Sequence, residues 1–176
     1  MFYICIIRMR QFSLSANIEE GFASEAKYIV TPNARQVAEG IANGFRSGVH
    51  SYTIIGSYGT GKSNFLLALE DYLVNNSHIL LANKGQFNGY THFRFCKIVG
   101  DYTSLQNLLI EHLFPNSASE NLFENLSRFF AEAENSDEFV FIVIDEFGKL
   151  LEYAAKNNPE RELYIFQKFT EFVNSE

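Results

Sequence analysis

The run Phe139-Val140-Phe141-Ile142-Val143-Ile144 constrains the fold more than any other stretch of this chain. It is apolar at every position, so a strand formed from it has no face to offer water. Both faces must be covered, which is the situation of an inner strand in a parallel sheet with helices on either side. The run ends in Asp145-Glu146. In open α/β sheets ligands bind beyond the carboxyl ends of the strands, so two acids placed there are candidates for chemistry. Taken alone, an acidic pair at a strand end is equally a solvated terminus or a helix cap.

A second stretch changes that balance. Gly56-Ser57-Tyr58-Gly59-Thr60-Gly61-Lys62-Ser63 matches the phosphate-cradling pattern G-x-x-x-x-G-K-[ST] at every fixed position. Such a loop needs a strand to deliver it and a helix to receive it, because the helix N-terminus directs its free N–H groups at the phosphates. Tyr52-Thr53-Ile54-Ile55 reads as the strand, and the residues from Asn64 to Leu73, stopped by Asn75-Asn76-Ser77, read as the helix. The glycines let the backbone approach a phosphate without a Cβ in the way. Lys62 is placed to reach the β- and γ-phosphates, and the Ser63 hydroxyl to hold Mg2+. The expected nucleotide-binding set is therefore Gly56 to Asn64, with Tyr58 and Thr60 contributing backbone N–H groups.

The 176 residues suffice for one domain with a core, and 47% hydrophobic content with 18 Phe and 9 Tyr supplies the apolar area. The net charge of -7 is spread without long runs, so nothing marks a counterion-releasing nucleic-acid surface. Cys5 and Cys96 are isolated, which fits a reducing compartment and not a disulfide framework. His50, His78, His92 and His112 are scattered, without a partner at metal-ligand spacing. The apolar opening is too short to span a membrane, and Arg8 and Arg10 follow it where a secretory leader would place basic residues before it. A cytoplasmic protein without membrane partners is expected.

Along the chain, residues 1–27 are the least readable; Phe2 to Ile7 is either an edge strand or a poorly ordered start. Tyr28 to Asn33 is extended and closed by Pro32, after which Val37, Ile41 and Phe45 mark a helix that Ser47-Gly48 ends. Ile79-Leu80-Leu81-Ala82 is a brief strand or a helix tail. His92 to Val99 alternates as a strand stopped by Gly100-Asp101, and two helices follow, through Leu105–Leu113 and Leu122–Phe130. After the acids, Phe147 to Lys156 is helical and Pro159 opens a last helix.

Together the loop and the apolar run ending in Asp-Glu resemble the Walker A (56–63) and Walker B (139–146) motifs of P-loop NTPases. The paired acid resembles the additional-strand, catalytic-Glu branch that includes AAA+ ATPases. Gly-Ser-Tyr-Gly-Thr-Gly-Lys-Ser with Ile-Asp-Glu-Phe-Gly-Lys is also similar to large bacterial ATPases of phage-defence systems. The resemblance implies a three-layer α/β/α fold with a mainly parallel sheet, ATP and Mg2+ as ligands, Asp145 on the metal with Ser63, and Glu146 as the residue that polarises the attacking water beside Lys62. It also implies a base-side role for Val30, Thr31 and Pro32.

In that branch a further strand follows the Walker B helix, carries a polar sensor residue, and inserts between the Walker A and Walker B strands. No segment after Glu146 reads as that strand, and no sensor or arginine finger is identified. A sheet lacking it would leave two rows of unpaired backbone groups. The expectation is thus a partial ATPase domain over 28–176, incomplete at its C-terminal end, with direct pairing of the two strands as the alternative. Function follows in order: the front of an ATPase domain that hydrolyses ATP to drive conformational change, completed by a downstream domain or other ATPase subunits, with nucleic acid a partner of the full-length protein only; a nucleotide-binding regulatory protein or a remnant without turnover; a small phosphoryl transferase.

Overall fold

A computed structural model describes residues 3–8, 18–19, 28–57, 59–77, 80–81, 87, 89–117, 119 and 121–175, with the backbone alone for 3–8. The elements in chain order are β1 (Tyr3–Arg8), α1 (Pro32–Arg46), β2 (Ser51–Ile54), α2 (Lys62–Asn75), β3 (His92–Val99), α3 (Leu105–Leu113), α4 (Leu122–Asn135), β4 (Glu138–Asp145), α5 (Gly148–Lys156) and α6 (Pro159–Ser175). The four strands form one sheet in the order β2-β1-β4-β3, with every neighbouring pair parallel.

The apolar run behaves as its composition requires. Phe139, Phe141 and Val143 of β4 enter a core with Ala38, Ile41 and Phe45 of α1 and Leu66 and Leu69 of α2. The alternate residues Val140, Ile142 and Ile144 enter a second core with Leu108 and Leu109 of α3, Leu126 and Phe130 of α4, Leu150 of α5 and Phe169 of α6. Helices therefore cover the sheet on both sides, and the strand's side-chain alternation sorts one apolar run into two cores.

Helix starts follow their local chemistry. Thr31, extended at φ -84 and ψ 159, accepts a hydrogen bond from Ala34 N at 3.1 Å, and Pro32 occupies the first turn. Ser104 caps α3 through Asn107 N, and Asn121 caps α4 through Phe123 N and Glu124 N. Gly44 sits where the tyrosine of β2 crosses α1: a Cβ there would lie 2.6 Å from Tyr52 Oη. That hydroxyl donates to Ile41 O at 2.9 Å.

Three expectations change. First, the opening segment is neither an edge strand nor shapeless. β1 is an inner strand, with Cys5 in register with Ser51 of β2 on one side and with Ile142 of β4 on the other. Second, the strands of the two motifs neither pair directly nor flank a gap, because β1 lies between them and pairs its backbone with both. Unpaired inner rows are costly, and a short apolar segment with no polar alternation suits the slot. Third, Leu80 and Leu81 lie outside any helix or strand although both are buried; Tyr72 Oη donates to Leu81 O at 3.0 Å. Ile79 and Ala82 lie outside the described residues.

Among the described residues no helix is long and apolar enough to cross a membrane.

Candidate functional site

β2 and β4 both end at the same edge of the sheet, and the segments that leave them meet there. Eight polar or charged residues are buried among those described, and four of them are Lys62, Ser63, Asp145 and Glu146. Burying charge is costly unless it is paired, so such a concentration marks a place where the fold accommodates ionic groups.

The loop from β2 to α2 turns on glycine. Gly59 and Gly61 have φ of 73° and 80°, the left-handed region that side chains with a Cβ resist. The helix that follows lacks both a side-chain cap at Gly61 and an acidic residue in its first turn. Its N-terminal N–H groups thus differ from those of α1, α3 and α4, which their cap side chains satisfy. Lys62 Nζ folds back over the loop and donates to Gly56 O at 2.7 Å, Ser57 O at 2.6 Å and Thr60 Oγ1 at 3.3 Å. Thr60 Oγ1 itself donates to Ser57 O at 2.7 Å. Asn64 is exposed on the first turn of α2. Tyr58 lies outside the described residues.

Ser63, the second residue of α2, meets the end of β4: Ser63 Oγ lies 3.4 Å from Asp145 Oδ2. These residues are 82 positions apart in the chain. The other carboxylate oxygen of Asp145 accepts from Glu146 N at 2.8 Å, which fixes the carboxylate's orientation. Glu146 has φ +55, an uncommon conformation for a residue with a side chain and one that costs energy unless its surroundings impose it. Lys149, on the first turn of α5, puts Nζ 3.4 Å from Glu146 Oε2. A hydroxyl and a carboxylate are hard oxygen donors of the kind Mg2+ accepts, so Ser63 and Asp145 fit that ion by their chemistry. Among the described residues no group of three or more His, Cys, Asp and Glu forms a metal cluster.

One residue of the site was invisible as such in the sequence. Gly100, which read only as the stop of β3, donates from its N–H to Asp145 O at 2.7 Å. A Cβ at Gly100 would lie 2.8 Å from Glu146 O and 2.9 Å from Asp145 O. The backbone of the acid pair is held against a position that only glycine fills. The glycine itself was legible; what it touches was not.

Beside the loop, α1 and β2 enclose a cavity of about 260 Å3. Gly56, Thr60, Gly61 and Lys62 of the loop are among its lining residues, together with Tyr28, Thr31, Asn33, Ala34, Val37 and Phe65. Of the three residues expected on the base side, Thr31 lines it, while Val30 and Pro32 do not; Tyr28 and Asn33 take their place.

Among the described residues, three further reactive side chains are occupied with structure. His50 Nδ1 lies 3.2 Å from Val173 O, and burial lowers its pKa. His112 Nδ1 lies 2.9 Å from Leu108 O. Burial pushes the Cys96 thiol up to about 11, which keeps it protonated and unreactive at neutral pH. His78 lies outside the described residues.

Comparison with family models, with curated proteins and with solved structures found no match to this chain.

Proposed function

We propose that this chain is a P-loop nucleotide-binding protein that takes ATP with Mg2+ and hydrolyses it. The observation that carries this reading is the meeting of Ser63 and Asp145, from the start of α2 and the end of β4, at 3.4 Å beside the buried Lys62. A glycine-rich turn serving only as a turn has no reason to bring a buried hydroxyl, carboxylate and ammonium together.

In this reading the loop N–H groups and the N-terminus of α2 receive the phosphates. Lys62 exchanges its contacts with Gly56 O and Ser57 O for phosphate oxygens, which needs only a side-chain movement. Ser63 and Asp145 hold Mg2+, which supplies charge neutralisation at the transferred phosphoryl group. Glu146, buried beside the metal position, orients the attacking water. Completion of the centre by an arginine from another ATPase subunit or by a downstream segment belongs to the same proposal.

A second reading, nucleotide held without turnover, draws on the ion pair between Lys149 and Glu146, which occupies the acid that hydrolysis needs. One experiment separates them. Calorimetry with ATP and Mg2+, and phosphate release from the same sample, are measured on the natural chain, Lys62→Ala and Glu146→Gln. Hydrolysis predicts binding with release in the natural chain, loss of binding in Lys62→Ala, and binding without release in Glu146→Gln. Binding without release in the natural chain selects the second reading. Unchanged affinity in Lys62→Ala overturns both.

A further inference from the structure

Glu146, the acid on which hydrolysis would depend, has a cation of its own chain beside it. Lys149 Nζ lies 3.4 Å from Glu146 Oε2, and Lys149 N donates to Glu146 O at 3.0 Å, so one residue meets both the side chain and the backbone of the acid. The two side chains differ in access: that of Glu146 is 11% exposed and that of Lys149 45%. Farther along the same helix, Lys156 Nζ reaches Glu152 Oε1 at 2.7 Å with both side chains more than half exposed. Water and salt screen a pair of that kind, whereas a carboxylate largely withdrawn from water feels its cation more strongly.

Lysine is also an unfavourable choice at this position. It stands on the first turn of α5, the positive end of the helix dipole, and that turn carries no acidic residue. Local helix chemistry therefore does not call for a cation here, while the buried acid three residues earlier does. A carboxylate orients water by accepting its hydrogen bonds, and an ammonium at 3.4 Å competes for the same oxygen. Because Lys149 is half-exposed on a flexible stem, the pair can open without moving α5.

We propose, on the hydrolysis reading above, that Lys149 is a positioning residue that restrains turnover by holding the Glu146 carboxylate in an ion pair that the attacking water must displace. In that reaction the water oxygen bonds to the γ-phosphorus as the bond to ADP breaks, and the water's proton passes toward Glu146. Lys149 touches neither reactant; it acts through the acid.

The test is phosphate release over a range of ATP concentrations with Mg2+, and calorimetry of ATP binding on the same samples. The proteins are the natural chain, Lys149→Met, Lys149→Arg and the double variant Lys149→Met with Glu146→Gln. Methionine keeps an unbranched stem and removes the charge. Lys149→Met is expected to raise kcat about fivefold, the equivalent of a partly exposed ion pair, with ATP affinity little changed. If the natural chain binds without release, release should begin in this variant. Lys149→Arg restores the pair and should return kcat to the natural value, and the gain should vanish in the double variant. A pair with only a structural role would change thermal stability and leave kcat where it was. An unchanged or lowered kcat in Lys149→Met overturns the proposal, as does a gain that survives Glu146→Gln or appears in Lys149→Arg. If the loss of charge unfolds the chain, Lys149→Gln, which keeps a donor for Glu146, carries the same expected rise and the same refutation. ATP binding without release in both the natural chain and Lys149→Met refutes the restraint and leaves nucleotide binding standing. Absence of ATP binding in the natural chain refutes the nucleotide-binding reading and the proposal with it.

Discussion

Gly100→Ala tests whether the acid pair is held in place from β3. The added Cβ would stand 2.8 Å from Glu146 O and 2.9 Å from Asp145 O, where ordinary contact begins at 3.4 Å. Both obstacles are backbone atoms, so no side chain can rotate away, and β3 or the end of β4 must yield by about 0.6 Å. Overpacking of this kind costs about 1–3 kcal/mol. Because the movement strains the bond from Gly100 N to Asp145 O, about 1 kcal/mol more is at risk. A loss of about 2 kcal/mol in a domain of this size lowers Tm by roughly 4–8 °C. The same movement shifts the Asp145 carboxylate relative to Ser63, so Mg2+-dependent ATP binding should weaken along with stability. Thermal unfolding and calorimetry measure both. Gly40→Ala is the matched control: Gly40 is exposed on α1 with nothing within 4 Å of its Cβ position, and the change should stabilise the helix by about 0.5–1 kcal/mol. If Gly100→Ala unfolds and binds Mg2+ and ATP as the natural chain does, the contact does not position the acids and the reasoning is wrong.

Two further outcomes follow from the fold. Ile6→Pro should be poorly tolerated, losing about 1–3 kcal/mol or more, because β1 has a partner strand on each side, and removing one N–H leaves a buried carbonyl unsatisfied; denaturant unfolding measures it, and tolerance of proline would return β1 to an edge or to no strand. Tyr52, whose hydroxyl burial pushes up to about 12, is neutral in the folded protein at pH values where the unfolded chain has already ionised near 10. Its contribution is complete below pH 10 and lost as pH rises toward 12. Tyr52→Phe should therefore lower stability at neutral pH, through the lost bond to Ile41 O, and flatten the alkaline decline. Unfolding curves from pH 8 to 12 check the slope, which Tyr28, Tyr72 and Tyr90 also shape because burial raises each of them.

What was legible in the amino-acid order was local. The run at 139–144 demanded cover on both faces, and Phe141 and Ile142 do enter opposite cores. Pro32 and Pro159 mark helix starts because a fixed φ acts within one turn. The glycines of the loop announced a backbone that must bend, and Gly59 and Gly61 are left-handed as that requires. The residues to watch, Lys62, Ser63, Asp145 and Glu146, could be named from their types and flanks alone.

Only the tertiary structure decided how those pieces meet. The place of β1 depends on partners at 51–54 and 140–144, and nothing within six residues of apolar strand says which edge or slot they will fill. The same holds for Gly100 against the carbonyls of Asp145 and Glu146. Propensity, capping and alternation act over a few residues and are written in the order of the chain. Register and contact between distant strands are settled by burial and backbone pairing across the whole sheet, and they exist only once it has assembled.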